Sequence, residues 1–156
     1  LSKIMKREIQ TCEMLRQNSH PNICAYLGVR CVGPHVIGLS FDRYKHTLTS
    51  LVYSRMEFDA RHALQNITSG LMHLHRLGYV HCDIKPDNIF VNDIASHFVI
   101  GDFDSCHKRG KPLNAKTGTP RWMNAKLKTS KPADPADSTM DWWSLNLVKI
   151  WMQTKG

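Results

Sequence analysis

Asp83, Lys85 and Asn88 lie within six positions in the stretch His81-Cys82-Asp83-Ile84-Lys85-Pro86-Asp87-Asn88. A carboxylate can accept a proton or orient a hydroxyl. An ammonium two residues on can neutralise a transferring phosphoryl group. An amide three residues further can offer an oxygen to a divalent metal. Asp102 follows fourteen residues after Asn88, beyond two short apolar segments, Ile89-Phe90-Val91 and Phe98-Val99-Ile100. A hairpin between those segments would return Asp102 beside Asn88, so that both could hold magnesium. Positioning and charge neutralisation are what phosphoryl transfer needs.

These residues need a scaffold, and the chain offers one of α+β type. Ile4, Met5, Glu8, Ile9, Cys12 and Leu15 recur at helical spacing and predict a helix over 3–17, ended by Pro21, which disfavours helix at His20. Segments 23–32 and 36–41 flank Gly33-Pro34 and read as a hairpin. Leu48, Leu51 and Val52 suggest a short helix. The clearest helix is 58–77, with Asp59 as N-cap, an apolar stripe at Ala63, Leu64, Ile67, Leu71 and Leu74, and Gly78 to end it. Residues 101–135 show no periodicity, which inside a compact domain marks a functional or disordered loop. Residues 142–152 read as a buried helix. Neither repeats nor a composition break divides the chain.

The 156 residues are 42% hydrophobic and 22% charged, ordinary for a globular core and unlike a disordered chain. No apolar run approaches the ~18 residues that span a bilayer, and residues 1–8 lack a signal-peptide core. The chain opens on Leu1 within a charged amphipathic stretch, so it reads as a piece of something longer. Five cysteines without C-x-x-C spacing fit reduced thiols in an intracellular protein, cytoplasmic first, with the nucleus open. His73, His75 and His81 cluster in sequence but lack a zinc-binding frame. The net charge of +8 gathers late in the chain. Without interleaved aromatics it argues for a solvated surface favouring anionic ligands rather than for nucleic acid. Oligomeric state is not legible.

The motifs together resemble the protein kinase family. His81 to Asn88 is similar to the catalytic loop H-R-D-L-K-x-x-N, and Gly101-Asp102-Phe103-Asp104 to the magnesium-binding D-F-G. Gly118-Thr119-Pro120-Arg121-Trp122-Met123 resembles the approach to A-P-E, and Asp141-Trp142-Trp143-Ser144 the start of the next helix. Arg7-Glu8-Ile9 with His20-Pro21-Asn22-Ile23 resembles the αC helix and the strand after it. Five motifs in the family's order are far more specific than any one alone.

The resemblance implies a partial kinase-like fold: 1–41 a remnant of the N-lobe, 42–47 the hinge, 48–156 part of the C-lobe. It implies a Ser/Thr-type kinase that uses ATP and Mg2+ and acts on a protein substrate. Asp83 would be the catalytic base and Lys85 the phosphate contact, with Asn88 and Asp102 as metal ligands. Glu8 would be the αC glutamate, unless it is only a solvated helix charge. Backbone at Asp42 and Tyr44 would hold adenine with Phe41 behind it, and Thr119 would bond near Asp83 and favour Ser/Thr substrates.

Four departures stand beside this. No G-x-G-x-x-G loop or A-x-K strand precedes Glu8. Cys82 replaces the arginine that pairs with a phosphorylated activation loop. Asp104 replaces a glycine whose backbone freedom an aspartate shares poorly. Asn124-Ala125-Lys126 replaces A-P-E. They keep alive an alternative, a catalytically inactive pseudokinase or interaction module, and predict that the 156 residues alone neither phosphorylate a generic substrate nor melt at high temperature.

Overall fold

A computed structural model describes residues 1–113, 118–123 and 134–155. Helix α1 spans Lys3–Gln17, as its spacing predicts. Ser2 caps it by accepting a bond from the Met5 N–H at 3.1 Å, satisfying one of the helix's unpaired donors. Its buried face is Thr11, Cys12 and Leu15.

Strands β1 (Tyr26–Val32) and β2 (His35–Phe41) form an antiparallel hairpin closing at Val32 and His35. Gly33 turns the corner at φ 56, a conformation that glycine adopts without a Cβ penalty. Leu27, Val29, Val32 and Ile37 on this hairpin are exposed. The chain then enters β3 (His46–Thr47) and α2 (Leu48–Tyr53), where Thr47 and Ser50 exchange capping-box bonds.

Helix α3 (Ala60–Arg76) starts two residues later than its apolar pattern suggests, because the Asp59 carboxylate accepts from the His62 N–H at 3.0 Å and stops the helix there. Ala63, Ile67, Leu71 and Leu74 form its buried stripe. Gly70 on the same face lets the 18–22 turn come close: a Cβ there would lie 2.6 Å from the Asn22 carbonyl oxygen. Three imidazoles tie the turns around this helix through Nε2. His73 bonds the Asn18 carbonyl at 2.6 Å, His97 that of Pro21 at 2.7 Å, and His62 that of Ser96 at 3.0 Å.

Gly78, at φ 82, lets the chain leave α3 for β4 (Tyr79–Val80). A 3-10 turn at Pro86–Asn88 leads into β5 (Ile89–Val91), which pairs antiparallel with β6 (Phe98–Ile100), the predicted hairpin. The sheet order is β3-β5-β6. Thus His46–Thr47, at the end of the expected hinge, pair with Phe90–Val91.

The stretch after Gly101 is less irregular than its sequence suggests. It contains β7 (His107–Lys108), paired with β4, and a 3-10 turn at Pro120–Trp122. Helix α4 spans Thr139–Lys155 and is only partly buried. Asp141, Ser144, Leu145, Val148, Trp151 and Met152 face inward, while Trp142, Trp143 and Ile150 are exposed. One apolar cluster joins α1, α2, α3, β5, β6 and α4. No described helix is long and apolar enough to cross a membrane. Asn124-Ala125-Lys126 lies outside the described residues.

Candidate active site

The loop after β4 is held open by a buried carboxylate from α4. Asp141 Oδ2 accepts the His81 N–H at 2.8 Å and Oδ1 the Cys82 N–H at 2.9 Å, and His75 Nε2 bonds Oδ2 at 2.7 Å. Cys82 is thereby held at φ 66, a conformation that costs an L-residue roughly 1–2 kcal/mol. His81 then spaces the loop from the β6 exit. Its Nε2–H donates to the Gly101 carbonyl at 2.9 Å, so Nδ1 accepts from the Asp83 N–H at 3.2 Å. The ring is fully buried against Phe103.

Asp83, buried by this frame, has donors on both oxygens. Thr119 donates its hydroxyl to Oδ1 at 2.7 Å. The Lys85 ammonium lies 3.0 Å from Oδ2 and also donates to Thr119 Oγ1 at 2.8 Å. Asn88 Nδ2 donates to the Asp83 carbonyl at 2.9 Å and to Oδ2 at 3.2 Å. Thr119 approaches because Gly118, at φ 57, packs on the loop. A Cβ there would meet the Cys82 carbonyl oxygen at 2.8 Å. Asp83, Lys85, Asn88 and Thr119 thus form one hydrogen-bonded group.

Since Asn88 spends its NH2 on Asp83, its Oδ1 is left for another partner. Asn88 and Asp102 line a cavity of about 400 Å3 with Glu8, Cys24, Phe41, Asp42, Tyr44, Asp87 and Phe90. All the remaining sequence-predicted residues therefore share one space. Asp102 reaches it at φ 57. This corrects the expectation placed on Asp104: the left-handed residue of the segment is Asp102, so an aspartate in place of glycine at 104 meets no positive-φ demand. Gly101 is the tight position, where a Cβ would lie 2.4 Å from the Phe90 ring.

At the Phe41–Tyr44 edge the Asp42 N–H donates to the Ala25 carbonyl at 2.9 Å. The Asp42 carbonyl accepts from the Cys24 thiol at 4.0 Å. Burial, then the Asp42 charge, pushes the Cys24 thiol up to about 12, so it lines the cavity as a neutral group. Burial likewise raises the Tyr44 hydroxyl.

The donors around this space are hard oxygens: the Asn88 amide and the carboxylates of Asp102 and Asp87. Among the described residues no group of three or more His, Cys, Asp or Glu side chains could cage a metal ion. That set fits Mg2+, which takes one or two carboxylates, keeps waters and shares ligand phosphates.

Sequence reasoning passed over Asp141, Cys24 and Asp87. The Asp-x-Trp-Ser pattern was the available signal for Asp141. Cys24 carries none, since only the fold brings it to the cavity, whereas Asp87 stands beside Asn88 in the loop.

Comparison with known proteins agrees with this arrangement. The family model "Protein kinase domain" matches residues 2–155. Serine/threonine-protein kinase MST20 of Pyricularia oryzae is 30% identical over 145 residues, covering 89% of this chain and 15% of the relative. Serine/threonine-protein kinase Sgk1-A of Xenopus laevis is 34% identical over 96 residues, covering 60% and 21%. The chain thus spans about a fifth or less of the length of these relatives. The solved structure of the yeast RNA Pol II CTD kinase CTDK-1 complex superposes with a TM-score of 0.83 at 17% identity, covering 100% of this chain and 51% of that one. With the catalytic-loop cluster and the cavity beside it, these matches place the chain in the protein kinase domain family.

Proposed function

We propose that this chain carries the phosphoryl-transfer centre of a Ser/Thr-type protein kinase that uses ATP and Mg2+ and acts on a protein hydroxyl. The observation that carries the reading is the joint placement of Asp83, Lys85, Asn88 and Thr119 in one group, next to a cavity shared by Glu8, Phe41, Asp42, Tyr44, Asn88 and Asp102. In this reading 1–41 is the N-lobe part, 42–47 the hinge and 48–156 the C-lobe part.

Asp83 orients the substrate hydroxyl and accepts its proton at Oδ1 or Oδ2 as the hydroxyl oxygen bonds the γ-phosphorus of ATP and the bond from that phosphorus to the bridging oxygen breaks, releasing ADP. Lys85, already beside Oδ2, places positive charge where the transferring group gathers negative charge. Thr119 holds the 118–123 segment on Asp83, beside the position a hydroxyl-bearing side chain would take. Phe41, Asp42 and Tyr44 form the wall for the adenine, and Glu8 faces the phosphate side from α1. Asn88 and Asp102 would hold Mg2+, which when bound neutralises phosphate charge.

The test separates binding from transfer. Mn2+ reports nucleotide-metal binding to the full chain by electron paramagnetic resonance in the presence of ATP. Asp102→Asn should lose that signal. Asp83→Asn should keep it and lose transfer to a Ser/Thr peptide library in a transfer-competent parent. A signal that survives Asp102→Asn at unchanged affinity sinks the assignment. A second reading, an interaction module without catalysis, is favoured by Asn124-Ala125-Lys126 in place of A-P-E and would leave peptide transfer absent whatever stands at 83.

A further inference from the structure

The site accounts for Glu8 but not for its neighbour. Arg7 is half-buried and turned away from the cavity, toward the segment just past Asp102. Its Nη2 donates to the Asp104 carbonyl at 2.6 Å, and its Nη1 lies 2.9 Å from His107 Nε2. The tautomer is set by the rest of the ring. His107 Nδ1 lies 2.7 Å from the Ser105 carbonyl, which can only accept. Nδ1 therefore carries the proton, and Nε2 accepts from Arg7. His107 is buried and sits in β7, which pairs with β4 at the mouth of the catalytic loop. One guanidinium thus spans from α1 to both ends of the 104–107 segment.

The same guanidinium lies near Cys82, the position where the family's arginine would pair with a phosphorylated loop. Burial first, then Asp141, raises the Cys82 thiol, and the Arg7 charge opposes that rise. The loop has lost a cation, and a cation from α1 stands in its neighbourhood with partners supplied from within the fold.

We propose that Arg7 is a positioning residue that latches α1 onto the 104–107 segment, holding Glu8 and Asp102 across one cavity without a phosphorylated residue. The inference rests on the nucleotide role proposed for that cavity, but the latch can be read without nucleotide.

Hydrogen–deuterium exchange on the full 156-residue chain measures it directly. Arg7→Gln should raise exchange across 104–109 while leaving the 89–100 hairpin unchanged. Arg7→Lys, which reaches one of the two acceptors, should recover part of the protection. Phosphatase treatment of the parent should change nothing at 104–109. Mn2+ affinity in the presence of ATP should fall by about tenfold in Arg7→Gln, the loss expected for a charge-assisted contact. If Arg7→Gln does not fold, His107→Leu removes one acceptor and should show the same exchange pattern. Unchanged exchange at 104–109 in a folded variant, or a rise there on dephosphorylation, overturns the latch. Altered exchange in a parent that binds no Mn2+ with ATP supports the latch and sinks the nucleotide reading instead.

Discussion

Thr119 donates to Asp83 Oδ1 at 2.7 Å while accepting from the Lys85 ammonium at 2.8 Å. A single hydroxyl therefore links a segment 34 residues away to both charged groups of the loop. Thr119→Val keeps the shape and removes both bonds. It should cost about 1–3 kcal/mol, because a buried carboxylate oxygen loses its donor. Thr119→Ser should recover most of this. Urea denaturation of the three proteins checks it, and a serine variant no better than the valine variant would mean that the bonds contribute little.

Asp141 accepts three bonds in a buried setting, from His75 and from the His81 and Cys82 amides. Asp141→Asn offers one oxygen and a misplaced NH2 to these donors. We expect a loss of about 3–5 kcal/mol, the range for breaking a buried pair by removing one partner. His75→Gln should cost less, since the two amide bonds survive. Thermal melts that rank the variants the other way would refute this ordering.

Glycines 110 and 118 both have positive φ, 76 and 57, but different surroundings. A Cβ at 110 meets nothing within 4 Å, whereas one at 118 meets the Cys82 carbonyl at 2.8 Å and Met123 Sδ at 2.9 Å. Gly110→Ala should cost about 1 kcal/mol through backbone strain alone. Gly118→Ala should cost more and should also raise exchange in 118–123. Equal costs at the two sites would show that the contact with Cys82 yields easily.

His20 makes the turn after α1 sensitive to acid. Its Nδ1 accepts the Asn22 N–H at 3.1 Å, a bond that protonation of Nδ1 removes. Burial, then the charges of His73 and Arg76, lowers its pKa from 6.5. The unfolded chain therefore takes up this proton before the folded one. The contribution to stability is complete above pH 6.5 and is lost as pH falls through the depressed folded value. His20→Asn keeps a side-chain acceptor and removes the titration. Its urea midpoint should fall less than the parent's between about pH 7 and pH 5, and parallel curves would exclude His20 as the source.

The sequence foretold most where local chemistry decides the outcome. Helix α1 was legible to the residue because a clean stripe runs up to the break that Pro21 imposes, and β5 and β6 because each is a three-residue apolar run around an Asn92 turn. The site residues could be named because their spacing within one loop resembles a known family. Partners set by long-range packing were not legible. Strands β4 and β7 are two residues each, too short for alternation to appear. The Arg7 contacts join positions 97 and 100 residues apart, and Cys24 reaches the cavity only because β6 carries the adjoining turn beside it, through the Cys24 N–H bond to Ile100. The left-handed state of Asp102 was hidden because glycine is the usual sequence mark of a positive φ, and this residue is not one.

The clasp of Asp141 on the His81 and Cys82 amides also imposes an order on assembly. The catalytic loop is complete in sequence by Asn88, yet the carboxylate that holds Cys82 in its left-handed form lies 59 residues beyond it. On a ribosome, where the earlier part of a chain emerges first, the loop must wait for α4 before it can take this shape. A nascent chain stalled before residue 141 would carry every residue of the loop without its geometry. The shape of the loop is therefore set by a residue made well after the loop itself.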